Sequence, residues 1–298
     1  MEDATRAHHR LDRLAPRRRF DEIECTISHL LRLPHPALQG RRYGEALLQG
    51  IAARGIEAGH VLEIGGGAGH IAEAAWRGDA GPFTQARWTS LDLSPALLHA
   101  QRRRVLEPSQ PRGPHRRWSG VRADALELPF RKFTGLILAN EVIADLPVEN
   151  GRNTGAVGLV RELARVLTPG SAAVLTEFGG DFDPGPLDLG EHVEWSIDFR
   201  QLHAAAGDCG LTATEIPLHE LLKADLSVRC ASYTDLWRLR RLAKCDVFAA
   251  PADQVRRRFP LLSRLLALEL PEIGSPRWPD ATAPAGFAQL FRALILRK

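Results

Sequence analysis

Glycines at 65, 66, 67 and 69 follow a short apolar run, Val61-Leu62-Glu63-Ile64, that carries the acid Glu63 near its end. Glycines at this spacing let a ligand come close to the backbone, because no Cβ stands in the way. Three further apolar runs each end in polar residues: Asp92, then Asp124, then the pair Asn140-Glu141. These residue types suit a nucleoside. An acid behind the second run can accept both hydroxyls of a ribose, and an acid behind the third can lie near an adenine amine. The glycines spell G-x-G-x-G, and His70 stands where a dinucleotide fingerprint has its third glycine. No G-x-x-x-x-G-K-[ST] phosphate loop is present either.

The elements that must carry these residues alternate. Strands are predicted at 60–64, 86–91, 118–123, 134–139 and 172–178, with helices after the glycines, from Ser94-Pro95 to about Val105, and over 155–167. Serine can cap that second helix, and proline suits its first position. Such alternation, with a glycine loop after the first strand, predicts an α/β doubly wound parallel sheet whose ligand lies beyond the strands' carboxyl ends. Ahead of it, 21–33 and 43–54 read as helices, the first stopped by Pro34 and Pro36 and the second by Gly55. Behind it, a glycine- and proline-rich loop over 179–190 precedes a helix at 199–209 and a strand at 211–217. Residues 219–270 read as helices, 271–286 as a proline-bearing loop, and 287–296 fits either a helix or a strand.

A nucleoside that carries no phosphate, has an amino-acid end and sits on bare backbone is S-adenosyl-L-methionine (SAM). Glu63-x-Gly65-x-Gly67-x-Gly69, Asp92 and Asp124-Ala125, in that order, resemble the nucleotide motifs of class I SAM-dependent methyltransferases. The resemblance implies Gly65, Gly67 and Gly69 around the methionine part, Asp92 on the ribose, and Asp124 and Ala125 near the adenine. Glu63 would hold the loop or reach the amino group through water. Over about 60–218 and the tail, the chain more narrowly resembles the MidA-like methyltransferases. This family includes the mitochondrial complex I assembly factor that methylates a protein arginine. The residues that carry this likeness are Ser94-Pro95-Ala96-Leu97 with Gln101, and Ala139-Asn140-Glu141-Val142-Ile143-Ala144-Asp145-Leu146-Pro147-Val148, where Ala144-Asp145 inverts the family's Asp-Ala. Glu177-Phe178-Gly179-Gly180 and Glu191-His192-Val193 with Asp198-Phe199 complete it. It implies a Rossmann-like seven-stranded sheet with helices on both faces. Residues 1–59 would be a helical N-terminal extension, 60–218 the SAM-binding core, 219–286 a helical insertion or cap, and 287–298 a last antiparallel strand.

Methyl transfer from a sulfonium mainly needs the acceptor held in line and close. Glu141, Asp145 and Glu177 are candidates to orient a cationic nitrogen, Asn140 to orient an amine or to touch the cofactor, and His192 to act as base. His70 reads as structural, and Trp195 as a wall of the pocket. Three readings stay open: transfer to a protein or peptide nitrogen, that of arginine included; transfer to a small-molecule oxygen or nitrogen; and a non-catalytic SAM-binding assembly factor. The net charge of +3 in 298 residues is too small to argue for nucleic acid, although arginines cluster at 17–19, 102–104 and 256–258. Cys25, Cys209, Cys230 and Cys245 form no C-x-x-C, so no metal is expected and reduced thiols are. A charged start without an apolar region, and no run near membrane length, fit a cytoplasmic protein.

Overall fold

The computed structural model describes residues 26–77, 79–106, 117–188, 193–228, 257, 260–261 and 291–298. Its elements run α1 (Ile27–Leu30), α2 (Tyr43–Ala52), β1 (His60–Ile64), α3 (His70–Arg77), β2 (Arg87–Asp92), α4 (Pro95–Leu106), β3 (Trp118–Arg122) and β4 (Leu136–Asn140). They continue α5 (Thr154–Val166), β5 (Ala172–Gly180), β6 (Pro186–Asp188), β7 (Val193–Trp195), β8 (Ile197–Asp198), α6 (Phe199–Asp208), β9 (Thr212–Pro217), α7 (Leu218–Leu222) and β10 (Phe291–Arg297).

Seven strands form the main sheet in the order β3-β2-β1-β4-β5-β10-β9, and β8 adds a short parallel pairing at the end of β5. The neighbours from β3 to β5 pair in parallel, whereas β10 runs antiparallel to both β5 and β9. Within the tail that fitted two periods, Phe291–Arg297 is thus a strand. Side chains of a strand alternate between faces, so a central strand needs apolar residues at every position. Leu136 and Leu138 face one apolar layer, with α2, α3 and α7; Ile137 and Ala139 face the other, with α5 and α6. Ala293 and Ile295 divide from Leu294 and Leu296 in the same way.

Two local expectations change. The stretch 179–190 is not all loop: β5 runs on to Gly180, and β6 pairs with β7 as a hairpin. Of the helix expected over 21–33, the described part is Ile27–Leu30, and residues 1–25 lie outside the described residues. So do most of 219–270, all of 271–286, and Cys25, Cys230 and Cys245.

Helix α2 belongs to the core. Tyr43, Leu47, Leu48 and Ile51 are fully buried against the sheet, and a Cβ on Gly50 would lie 2.1 Å from the carbonyl oxygen of Leu221 in α7. Gly50→Ala therefore forces the two helices apart. We expect a loss of about 1–3 kcal/mol in thermal or denaturant unfolding despite alanine's better helix propensity. Gly207→Ala in α6, where a Cβ meets nothing within 4 Å, is the control and should stabilise by about 0.5–1 kcal/mol. Equal effects at the two positions would contradict the close approach.

Candidate cofactor and acceptor site

One cleft opens at the carboxyl ends of β1, β2 and β4, where ligands of open α/β sheets bind. Its empty volume is about 1020 Å³ counting the open mouth, which suits a nucleoside-sized molecule. Glu63, Gly65, Gly67, Asp92, Ala125, Asn140, Glu141 and Asp145 all line it, as do Thr26, Ser28 and His70. Its lining residues include four carboxyl groups and no lysine or arginine. Such a wall repels phosphate and attracts a cation.

The glycine loop divides its labour. Gly65 has φ 64° and donates its N–H to Leu91 O at 2.8 Å. A Cβ there would fall 2.6 Å from Val142 Cγ2, so only glycine fits. Gly69 faces away from the cleft: its bare Cα meets Gln101 of α4, where a Cβ would lie 3.2 Å away. Gln101 in turn donates to Gly67 O at 2.9 Å and lies 3.4 Å from Asp92 Oδ2. It ties the loop to the acid at the end of β2.

The acids differ more than their sequence positions suggest. Asp92 is buried, and its Oδ1 accepts Ser94 N–H at 2.9 Å, which aims the carboxylate over the cleft floor. Asp124 accepts Leu126 N–H at 2.9 Å and stabilises a turn; its neighbours Ala123 and Ala125 line the cleft and Asp124 itself does not. Glu63 is fully buried. The indole N–H of Trp88 donates to its Oε2 at 2.7 Å, and its Oε1 has no hydrogen-bond partner among the described residues. Burial pushes the Glu63 carboxyl up to about 8; the Trp88 hydrogen bond opposes this and the Asp92 charge adds to it.

Beyond the loop, a buried network sets the end of β4. Asn140 Oδ1 accepts the Tyr43 hydroxyl at 2.6 Å and the Thr176 hydroxyl at 2.7 Å. Both lone pairs are used, so this oxygen does not orient a substrate amine. The amide N–H instead points to Glu141 Oε1 at 3.0 Å. Burial, and then the Glu141 charge, push the Tyr43 phenol well above its ordinary value, so it remains a donor. Glu141 sits at φ 52°, uncommon for a residue with a side chain. Its carboxylate accepts Ile27 N–H at 2.8 Å and Ser28 N–H at 3.3 Å.

Glu177 does not join Glu141 and Asp145 in the cleft. Its oxygens accept Ala144 N–H at 3.1 Å and Phe178 N–H at 3.0 Å, so it holds the turn that carries Asp145. Burial, then the charges of Glu194 and Glu141, push its carboxyl well above the usual range. His70, read as structural, does face the cleft, and burial lowers its pKa so the ring is neutral near pH 7. Trp195 lies on β7 and is not among the lining residues. His192 lies outside the described residues.

Tyr43, Trp88, Thr26 and Ser28 were missed in the sequence. None stands in a motif, and each reaches the site through a contact with a distant element. Among the described residues, no cluster of three His, Cys, Asp or Glu side chains could hold a metal ion, and no helix is long and apolar enough to cross a membrane.

The family model described as "Putative S-adenosyl-L-methionine-dependent methyltransferase" matches residues 44–209, more than half of the chain. The chain belongs to this family of methyltransferases. The matched span takes in β1 to β5 and every cleft-lining residue named above except Thr26 and Ser28. No curated protein matches the methyltransferase. Among solved structures, a protein from Burkholderia thailandensis bound to S-adenosyl-homocysteine is 16% identical, with a TM-score of 0.52 over 94% of this chain and 81% of the other. A glycopeptide N-methyltransferase complexed with sinefungin is 18% identical, with a TM-score of 0.46 over 58% of this chain and 86% of the other. Magnesium protoporphyrin IX methyltransferase from Synechocystis PCC 6803 with bound SAM is 15% identical, with a TM-score of 0.41 over 57% and 68%. The cofactor of the methyltransferase is SAM. The cleft fits it: an acidic wall without a phosphate ligand, a bare backbone at Gly65, and a buried carboxyl oxygen that lacks a donor.

Proposed function

We propose that the methyltransferase transfers a methyl group to a nitrogen of a protein or peptide, with a cationic side chain such as arginine as the acceptor. The observation that carries this is the pair of carboxyl-bearing residues, Glu141 and Asp145, which follow β4 and line the cleft across β1 from the end of β2 that bears Asp92. A carboxylate orients a guanidinium through paired hydrogen bonds and offsets its charge. Glu141 accepts peptide N–H groups from Ile27 and Ser28 of its own chain, which fix the carboxylate at the cleft wall. A closer kinship to the MidA-like methyltransferases rests on the Asn140-to-Pro147 stretch.

In this reading Gly65 and Gly67 hold the methionine end of SAM, Asp92 the ribose, and the 123–125 backbone the adenine. When bound, SAM supplies an electrophilic methyl group on its sulfonium. Glu141 holds the acceptor nitrogen in line, its own amide neighbour Asn140 fixing the carboxylate from behind. The nitrogen that takes the methyl would lose a proton as the sulfonium's S–C bond gives way to a neutral thioether, and a carboxylate within hydrogen-bond reach would accept that proton. Asp145 is placed to share that charge.

Glu141→Gln should leave S-adenosylhomocysteine affinity within about threefold and lower transfer at least ~100-fold. The measurement is label transfer from methyl-tritiated SAM to arginine-bearing peptides, beside calorimetric titration. Lost cofactor binding in this variant would assign Glu141 to the cofactor instead. Label appearing in small metabolites and in no peptide would favour the small-molecule reading.

A further inference from the structure

Glu63 is a carboxyl group in an unusual position. It sits on β1, an inner strand of the sheet, 1% exposed, with one hydrogen bond from a neutral donor and none to its second oxygen among the described residues. Among the described residues, no cation compensates it. Trp88 and Asp92 of β2 act on it directly, and the titratable groups that share its cleft are Asp92, His70 of α3, and Glu141 and Asp145 beyond β4. Three of the four titratable neighbours are acids, and the fourth, His70, is neutral near pH 7. Arg104 of α4 is spent on Ala68 O and on Glu73. An ionised carboxylate here would be desolvated, beside another carboxylate, and short of donors, which is strongly unfavourable. Gly66 leaves room for the same carboxyl: a Cβ there would lie 2.8 Å from Glu63 Cδ.

We propose that Glu63 is protonated in the cofactor-free enzyme and gives its proton to solvent when the cofactor's ammonium group reaches the open oxygen, so that loading releases one proton. This rests on the reading that the methionine end of the cofactor lies on the glycine loop. The exchange balances: the carboxyl O–H bond breaks, the proton leaves to bulk water, and an N–H···O bond to the ammonium replaces it. The cofactor-free cleft thereby avoids a buried lone charge, and the loaded cleft gains an ion pair. Trp88 is the positioning residue that leaves one oxygen, and only one, free for this exchange.

The sign follows from linkage. A carboxyl whose pKa is high without ligand and low with ligand makes affinity rise with pH between those two values. With the free value about 8, about nine-tenths of a proton should leave at pH 7, and almost none above pH 9. Affinity should rise by up to about tenfold per pH unit from pH 6 towards 8 and then level off.

The test is calorimetric titration of the full chain with S-adenosylhomocysteine at pH 7 in two buffers of different ionisation enthalpy. The expected result is a buffer-dependent heat equal to nearly one released proton in the wild type and none in Glu63→Gln, which keeps the Trp88 hydrogen bond. Binding without proton release in the wild type overturns the inference and leaves the cofactor cleft standing. Release that persists in Glu63→Gln also overturns it, by moving the proton elsewhere. Absence of binding by the wild type sinks the reading of the cleft and the inference with it. Should the variant fail to fold, infrared difference spectra of the wild type decide. A protonated carboxyl stretch must vanish on adding S-adenosylhomocysteine; if no such band is lost, Glu63 was already ionised.

Discussion

An Asp92→Ala variant is expected to bind S-adenosylhomocysteine roughly 100-fold more weakly than the wild type, by calorimetric titration. Two charge-assisted hydrogen bonds to ribose hydroxyls, each worth about 1.5–3 kcal/mol, account for a loss of that size even when part is regained from water. The geometry adds a second contribution. Asp92 Oδ1 holds Ser94 N–H at the start of α4, and Oδ2 faces Gln101, whose amide also grips Gly67 O. Removing the carboxylate thus loosens the ribose seat and the methionine seat together. Asp92→Asn keeps the acceptor for Ser94 and loses the charge, so it should fall between, at roughly tenfold. An affinity within twofold of wild type for Asp92→Ala would remove Asp92 from the ribose.

The largest stability effect is expected at Asn140. In Asn140→Leu the hydroxyls of Tyr43 and Thr176 both lose their acceptor inside a buried network, and Glu141 loses its amide donor. Unsatisfied buried polar groups cost about 1–3 kcal/mol each, so a loss of about 3–5 kcal/mol in denaturant unfolding follows. Asn140→Asp separates the two halves of this effect. It keeps an acceptor for Tyr43 and Thr176 and sets a second carboxyl against Glu141. The folded-state pKa of the new group is then raised above its unfolded value. The penalty is fully present above the folded value, is relieved as pH falls from the folded value to the unfolded one, and is gone below the latter. Asn140→Asp should therefore recover stability in acid relative to wild type, and Asn140→Leu should not. Parallel pH profiles for the two variants would contradict the network.

Where the sequence was readable, the information was local. Strand β1 is an apolar run stopped by glycine, and its bounds, His60–Ile64, come directly from that pattern. The acids at strand ends were found because an open parallel sheet puts its ligand there. What a local pattern cannot supply is direction. Gly69 and Asp124 have the right type and spacing, yet one faces α4 and the other closes a turn. Glu177 looks like the partner of Glu141 and is turned towards the backbone of Ala144. The tail over 287–296 fitted both periods, and only the place of Phe291–Arg297 between two strands decides it. Tyr43 was out of reach for a different reason: its partner Asn140 is 97 residues away, and no composition or period marks such a pair. Long-range polar contacts of this kind belong to packing, which a single sequence leaves implicit.

The placement of β10 bears on how the chain is made. Phe291 pairs with Phe178, and Arg297 with Ala172, so β5 meets its neighbour more than a hundred residues later in synthesis. Until those residues arrive, the strand that carries Thr176 and Glu177 has an open edge, and β9 has no partner in the sheet. A nascent chain of β1 to β5 would hold most of the cleft yet present a bare strand to its surroundings, which is the condition that favours misassociation. Completion of the sheet is then a late step closed over a long loop, with the slow kinetics that such distant pairing entails.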